Sequence, residues 1–261
     1  PGIGVNATLS LVGPRTSAEA ALQALEAGFR TVKLKAGAER ETEGLVDRVR
    51  AVRQALGPGP RLRLDVNGAW DVETAVERLG AVHRFDVEYV EQPIAGDDAA
   101  ALAEVRRRGR VPVAADEAVT SPRVARELLA AGAVDALVVK PARVGGPLVT
   151  ARIAELAAER GVPVVVSTLF ETGVGIAAAL AAAAGLPNVS LGSRGGGEPP
   201  DHGLATAGLL ADDLLRSALV VEDGRMWRPD VLDGLATGAL GILLDERALQ
   251  RYAVESIGAD E

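Results

Sequence analysis

Cysteine is absent from the 261 residues, so neither a disulfide nor a thiolate metal centre is open to this chain. Histidine occurs twice, as His83 near a helix end and His202 in a proline-rich loop; both read as structural or exposed residues, not as bases. Lysine is nearly as scarce, with three among 28 cationic side chains, the others being arginine. Clustered basic charge is missing too. The net charge is −8, and the run Arg106-Arg-Arg-Gly-Arg110 is too short to make the basic stripe of a nucleic-acid surface; it reads as a solvated helix end. The longest uncharged stretch, residues 172–193, is rich in Ala and Gly and broken at Gly185-Leu-Pro187, a poor membrane span. Nothing resembles a signal peptide, so a cytoplasmic location is the default expectation. The chain opens on Pro1 and enters an apolar segment, residues 5–11, almost at once, which reads as a protein whose N-terminal part is missing.

What is present is a strand-then-helix rhythm. With 48% hydrophobic and 25% charged residues the chain can bury a large core, and an α/β barrel uses about 250 residues as one domain. Strand candidates fall near residues 5–11, 31–35, 61–66, 87–91, 111–115, 135–140, 162–167 and 188–191. They are short and almost continuously apolar, as in a parallel sheet buried on both faces. Helical patterns lie between them, for example at residues 18–27, 43–56, 72–82 and 122–131. Gly28, Gly57, Gly109, Gly132, Gly161 and Gly185 fit C-terminal caps. Eight such units predict a (β/α)8 barrel over residues 1–218. A doubly wound open sheet is the alternative, weakened by the lack of a dinucleotide fingerprint after the first strand. Residues 211–218 read as a last helix. Residues 219–261 read as a turn and extended segments packing outside the barrel.

The three lysines sit at the ends of apolar strands, as Lys33 and Lys35 in one and Lys140 in another. Unlike arginine, lysine can have its pKa lowered enough to act as a base. Three acids end consecutive strand candidates: Asp65, Glu91 and Asp116. Each is about one βα unit from the next, and Lys140 follows at the same interval. All therefore converge on one end of the barrel, the end that carries active sites. An all-oxygen set without His or Cys favours a hard ion, Mg²⁺ above all, with Mn²⁺ as a substitute. Lys33 and Lys35 are two apart and point to the same side of their strand, with Lys140 across the mouth. Such a set is equipped to remove a proton α to a carboxylate, where preorganised charge is the largest catalytic term.

At these residues the chain resembles the enolase superfamily, in its muconate-lactonising subgroup. The matching motifs are Lys33-Leu-Lys35, Asp65-Val-Asn67, Glu91-Gln-Pro93, Asp116-Glu117 and Lys140-Pro141, and the match extends to Gly241-Ile-Leu-Leu-Asp245. The resemblance implies that Asp65, Glu91 and Asp116 bind Mg²⁺, that Lys35 is the base and that Lys140 lies on the opposite face. It also implies that Lys33 tunes Lys35 and touches the substrate carboxylate, with Asn67 and Arg63 as orienting groups; Arg63 reads equally well as a surface residue. Relatives carry an N-terminal α+β capping domain, which is expected to be missing from this stretch of sequence, and residues 219–261 are expected to contact it.

Within the subgroup the chain is most similar to the o-succinylbenzoate synthase family of menaquinone biosynthesis, in its actinobacterial form. The segment Ser167-Thr-Leu-Phe-Glu-Thr-Gly-Val-Gly175 carries that likeness. It implies that Ser167, Thr168 and Gly192, along with Lys33 and Asn67, help bind the substrate. N-succinylamino acid racemisation is the runner-up, with Lys35 and Lys140 as opposed acid and base, and muconate cycloisomerisation comes after it. Dipeptide epimerisation is weaker, because Leu191-Gly-Ser-Arg-Gly-Gly-Gly197 offers no Asp-x-Asp pair. A non-catalytic binding module is a reading of another class, opposed by the intact set of lysines and carboxylates. The partner expected is a small-molecule carboxylate, with neither nucleic acid nor membrane.

Overall fold

The computed structural model describes residues 2–10, 13–191, 197–227 and 244–253. Seven parallel strands form one curled sheet in chain order: β2 (Ala7–Leu9), β3 (Thr31–Lys35), β4 (Arg61–Asp65), β5 (Val87–Glu91), β6 (Val113–Ala115), β7 (Ala136–Val139) and β8 (Val164–Val166). Helices α1 (Pro14–Glu26), α2 (Thr42–Leu56), α3 (Val72–Val82), α4 (Ala99–Gly109), α5 (Pro122–Ala130), the short α6 (Pro141–Val144), α7 (Pro147–Ala158) and α8 (Gly173–Ala184) connect them. The outward side chains of the strands pack against the helices in one continuous core that includes Leu34, Leu62, Leu64, Val90 and Leu137. Among the described residues no helix is long and apolar enough to cross a membrane.

Helix starts are written in local chemistry. The carboxylates of Asp71 and Asp98 and the hydroxyl of Ser121 accept from backbone N–H groups of α3, α4 and α5, and proline fills the first turn of α1, α5, α6 and α7. Of the expected glycine caps, Gly28, Gly57, Gly132 and Gly161 take positive φ. Gly185 caps α8 at negative φ, its N–H donating to the Ala182 carbonyl at 3.1 Å, while Gly109 does not act as the cap. Gly109 ends α4 in helical geometry and Arg110 carries the left-handed turn; a Cβ at Gly109 would meet Leu79 Cδ1 at 2.5 Å, so that glycine serves close helix packing.

The eighth strand is not where the sequence places it. Residues 188–191 form no strand; Leu191 instead inserts its side chain among Tyr89, Ala114, Val138 and Val165 inside the barrel. The gap between β8 and β2 is closed by His202 and Gly203. His202 bridges to Val5 and Gly203 to Ser167, both parallel. The backbone bonds are His202 N–H to Gly4 O, Asn6 N–H to His202 O and Gly203 N–H to Val166 O, at 2.9, 2.9 and 2.8 Å.

The helix expected at residues 211–218 is also absent. The Asp213 carboxylate there accepts from the N–H groups of Leu214 and Gly173, both at 2.7 Å, and such local bonds compete with a helix. Beyond it, β9 (Val221–Glu222) and β10 (Arg225–Met226) form a hairpin about Asp223 and Gly224, both at positive φ, and β10 pairs antiparallel with β1 (Ile3–Gly4). A last helix, α9 (Glu246–Tyr252), starts at Asp245, whose carboxylate caps it; of the extended segment expected before it, residues 240–243 lie outside the described residues.

Candidate active site

The parallel register sets Lys35 opposite Asp65 and Asp65 opposite Glu91, so three of the expected residues share one level at the C-terminal end of neighbouring strands. Asp116 follows β6 and Lys140 follows β7 at the same end. Asp65, Glu91 and Asp116 are buried. Lys33 Nζ lies 2.9 Å from Asp65 Oδ2 and 3.0 Å from Glu91 Oε1. Lys35 Nζ donates to Asp65 Oδ2 at 2.7 Å and to Asn67 Oδ1 at 2.8 Å. Lys140 pairs with Asp116 Oδ2. The structure thus brings together all three lysines, all three acids and Asn67, with Lys35 at one end of the row and Lys140 at the other.

Burial pulls the Lys33 amine's pKa down, but Glu91 and Asp65 outweigh it and hold the group above its ordinary value, fixing Lys33 as an ammonium. Burial would raise the Asp65 carboxyl, yet Lys33 and Lys35 bring it below the usual range. Glu91 behaves differently. Its burial, with Asp65 and Asp116 close by, overcomes the attraction of Lys33 and pushes it up to about 8. Lys35 is the accessible amine, with 39% of its side chain exposed against about a tenth for the other two.

Among the described residues no three acids gather around a common point; each is drawn to a lysine instead. Even so, the donor set fits a hard divalent cation. Asp116 Oδ1 is buried without a partner, and Glu91 is buried with Asp65 and Asp116 close by, which pushes its pKa up. A cation bound by oxygen answers both deficits.

Other expected residues fall around this centre. Ser167 and Thr168 are buried at the end of β8, donating to the Gly203 carbonyl at 3.4 and 3.2 Å, and Thr168 Oγ1 lies 2.7 Å from Thr206 Oγ1. Gly192 lies outside the described residues. Arg63 is neither a surface group nor part of the row. It is fully buried lower in the barrel, donating to Glu88 Oε2 at 2.5 Å, to Asn6 Oδ1 at 3.2 Å and to the Asp201 carbonyl at 2.8 Å. The β4–β5 register slips between Leu62 and Arg63, leaving Glu88 without a ladder partner and free to turn inward to that guanidinium.

Sequence reasoning missed Gln92. Its Nε2 donates to the carbonyls of Ile94 and Gly96 at 2.8 and 3.0 Å, while Oε1 accepts from the N–H groups of Asp116 and Ala118 at 2.9 and 3.2 Å. One side chain thereby ties the Glu91 loop to the Asp116 loop. A lone amide between an acid and a proline at a strand end was the available signal. Glu117 and Arg143 were missed as well: Glu117 accepts from Asn67 Nδ2 at 2.8 Å, and its carbonyl accepts from Arg143 Nη2 at 2.8 Å.

A barrel whose strand ends present lysines and carboxylates in this order is an enolase-type barrel. The sequence matches the enolase C-terminal domain-like family over residues 16–247, and the chain belongs to that family. Among curated proteins it is similar to an o-succinylbenzoate synthase of Thermobifida fusca, 44% identical over 85% of this chain and 65% of that protein. The chain therefore spans a little under two thirds of that relative's length. The fold resembles the muconate lactonizing enzyme of Pseudomonas putida, with a TM-score of 0.84 and 26% identity over 97% of this chain and 66% of that one. It also resembles a dipeptide epimerase of Cytophaga hutchinsonii solved with Mg and a dipeptide, with a TM-score of 0.82 and 26% identity over 96% of this chain and 64% of that one.

Proposed function

We propose that this chain is the barrel part of a Mg²⁺-dependent o-succinylbenzoate synthase, which removes water from a cyclohexadiene carboxylate precursor in menaquinone biosynthesis. The observation that carries the reading is the row Lys35–Asp65–Glu91–Asp116–Lys140, an amine at each end of three buried acids, together with the likeness to the Thermobifida protein. Asp65, Glu91 and Asp116 would hold the ion, Mn²⁺ being a substitute. When bound, it supplies positive charge to the substrate carboxylate as the neighbouring proton leaves.

Lys35 Nζ takes the α-proton. The C–O bond to the ring hydroxyl then breaks, the same amine returns a proton to the departing oxygen, and water and a new carbon–carbon double bond result. Lys140, paired with Asp116, offsets charge on the opposite face without exchanging protons. Lys33 steadies Asp65 and Glu91 and faces the substrate carboxylate, while Asn67 orients Lys35. Ser167, Thr168 and Gly192 are assigned to the distal carboxylate. With Lys35 neutral as the base, two ammonium groups, three carboxylates and a divalent ion would leave the mouth at +1, complementary to an anionic substrate. Residues 1–218 are the catalytic barrel in this reading, and residues 219–261 a segment outside it that meets the rest of the protein. Its setting is the cytoplasm.

The test is Mg²⁺-dependent loss of the precursor's absorbance, assayed with the full-length gene product beside this chain. Turnover that disappears in Lys35→Ala is the expected result. If Mg²⁺ binds and the precursor is untouched, the synthase reading fails and racemisation of N-succinylamino acids takes its place. If Mg²⁺ does not bind, no catalytic reading of this site survives.

A further inference from the structure

Lysine offers hydrogen-bond donors only, and an ionised carboxylate only acceptors. Asn67 lies between one of each: its Oδ1 accepts from Lys35 Nζ and its Nδ2 donates to Glu117 Oε1, both at 2.8 Å. That pairing leaves the amide one orientation, with NH2 toward Glu117 and oxygen toward Lys35. The backbone holds it there. Asn67 sits at φ 50°, a left-handed conformation that asparagine tolerates, its N–H donates to Asp65 Oδ1 at 3.3 Å, and Gly68 follows at φ 71° with its N–H on the Gln92 carbonyl at 2.7 Å. Glu117 is held in turn by the bond from Arg143 to its carbonyl, and its second carboxylate oxygen is buried without a partner.

We infer that Glu117 is a positioning residue for the base: by fixing the orientation of the Asn67 amide, it sets the direction of the Lys35 lone pair. This rests on the assignment of Lys35 as the base. A neutral amine has two N–H bonds and one lone pair. Asp65 Oδ2 and Asn67 Oδ1 take the two N–H bonds, so the lone pair occupies the remaining direction and is free for a proton. With the Asn67 amide turned over, its NH2 would donate to that lone pair and consume it. Glu117 prevents the turn because its carboxylate has no proton to offer the amide oxygen.

The experiment is a double-mutant cycle on the full-length protein with Mg²⁺ present, using Glu117→Gln, whose side chain can either donate or accept, and Asn67→Ala. Glu117→Gln should lower kcat by about ten-fold or more, within the range a positioned base contributes, with KM and the Mg²⁺ dissociation constant nearly unchanged. In the Asn67→Ala background it should do nothing further. A second readout needs no substrate: acetylation of the protein's lysines by acetic anhydride, resolved by mass spectrometry. The Lys35 rate should change in Glu117→Gln while the Lys140 rate holds, in variants whose melting temperatures match the parent. Multiplying effects in the cycle would mean that Glu117 acts by its charge alone and would overturn the inference, as would a fall in Mg²⁺ affinity that accounts for the lost kcat. If the parent does not turn over the precursor, the proposed function fails and the Lys35 labelling rate alone decides the inference.

Discussion

Replacing Arg63 with methionine removes the cation around which the lower barrel is organised. Its guanidinium donates to Glu88, Asn6 and the Asp201 carbonyl and stacks 4.8 Å from the centre of the Tyr89 ring. Without it, the nearest cation to Glu88 is Arg61, 3.6 Å from the other carboxylate oxygen and too far for a good hydrogen bond. Breaking one side of a buried ion pair costs about 3–5 kcal/mol, because the charge left behind is dry and unpaired. In a chain of this length each kcal/mol lowers Tm by about 2–4 °C, so Arg63→Met should melt roughly 10 °C or more below the parent. Replacing the pair together, as Arg63→Met with Glu88→Leu, should recover most of that loss, since an apolar pair of similar volume does not strand a charge. Urea unfolding followed by circular dichroism measures all four corners of the cycle. A loss under about 1 kcal/mol for Arg63→Met, or a double variant as unstable as the two singles added, would refute the reasoning.

Lys140→Ala should abolish racemisation if that is the reaction, but leave measurable dehydration if Lys140 acts only as a cation; solvent-deuterium incorporation separates the two. His202 accepts from the Val166 N–H at 3.0 Å, and burial followed by the nearby Arg63 lowers its pKa to about 4. The unfolded chain therefore takes up a proton below about pH 6.5 that the folded chain refuses, so stability is complete above that value and falls with acidity down to about pH 4. Between pH 8 and pH 5 the parent should lose about 2 kcal/mol more than His202→Asn, and parallel profiles would discard the idea. Gly28→Ala should destabilise by about 1–3 kcal/mol, because the site has φ 85° and a Cβ would meet the Asp223 backbone at 2.5 Å; thermal melts check it.

The barrel and the row of charged residues were legible because β3 to β7 are short apolar runs with a charged side chain at or just after the end, so chain order and spacing carried the geometry. The closing strand was hidden for the opposite reason. Val189 and Leu191 look like strand residues, yet the backbone around them makes no ladder and Leu191 serves as an apolar plug. The two residues that close the sheet, His202 and Gly203, have no apolar pattern to announce them. Gly203 is small because a Cβ would meet Ser167 Oγ at 2.6 Å, and His202 is buried because its ring accepts a backbone N–H. Arg63 was ambiguous from sequence because its burial depends on the inward turn of Glu88 at a register slip, which periodicity does not reveal.

Gln92 uses its full bonding capacity to splice two loops into one body, so Glu91 and Asp116 enter any encounter already set relative to each other. Lys35, by contrast, hangs from acceptors at a solvent-facing edge. The two banks are built differently: one is a fixed abutment tied through backbone groups, and the other holds its amine through side chains, those of Asp65 and Asn67. On the Lys35 bank a new neighbour moves a single amine and disturbs its aim. On the Gln92 bank the same change must move two acids together.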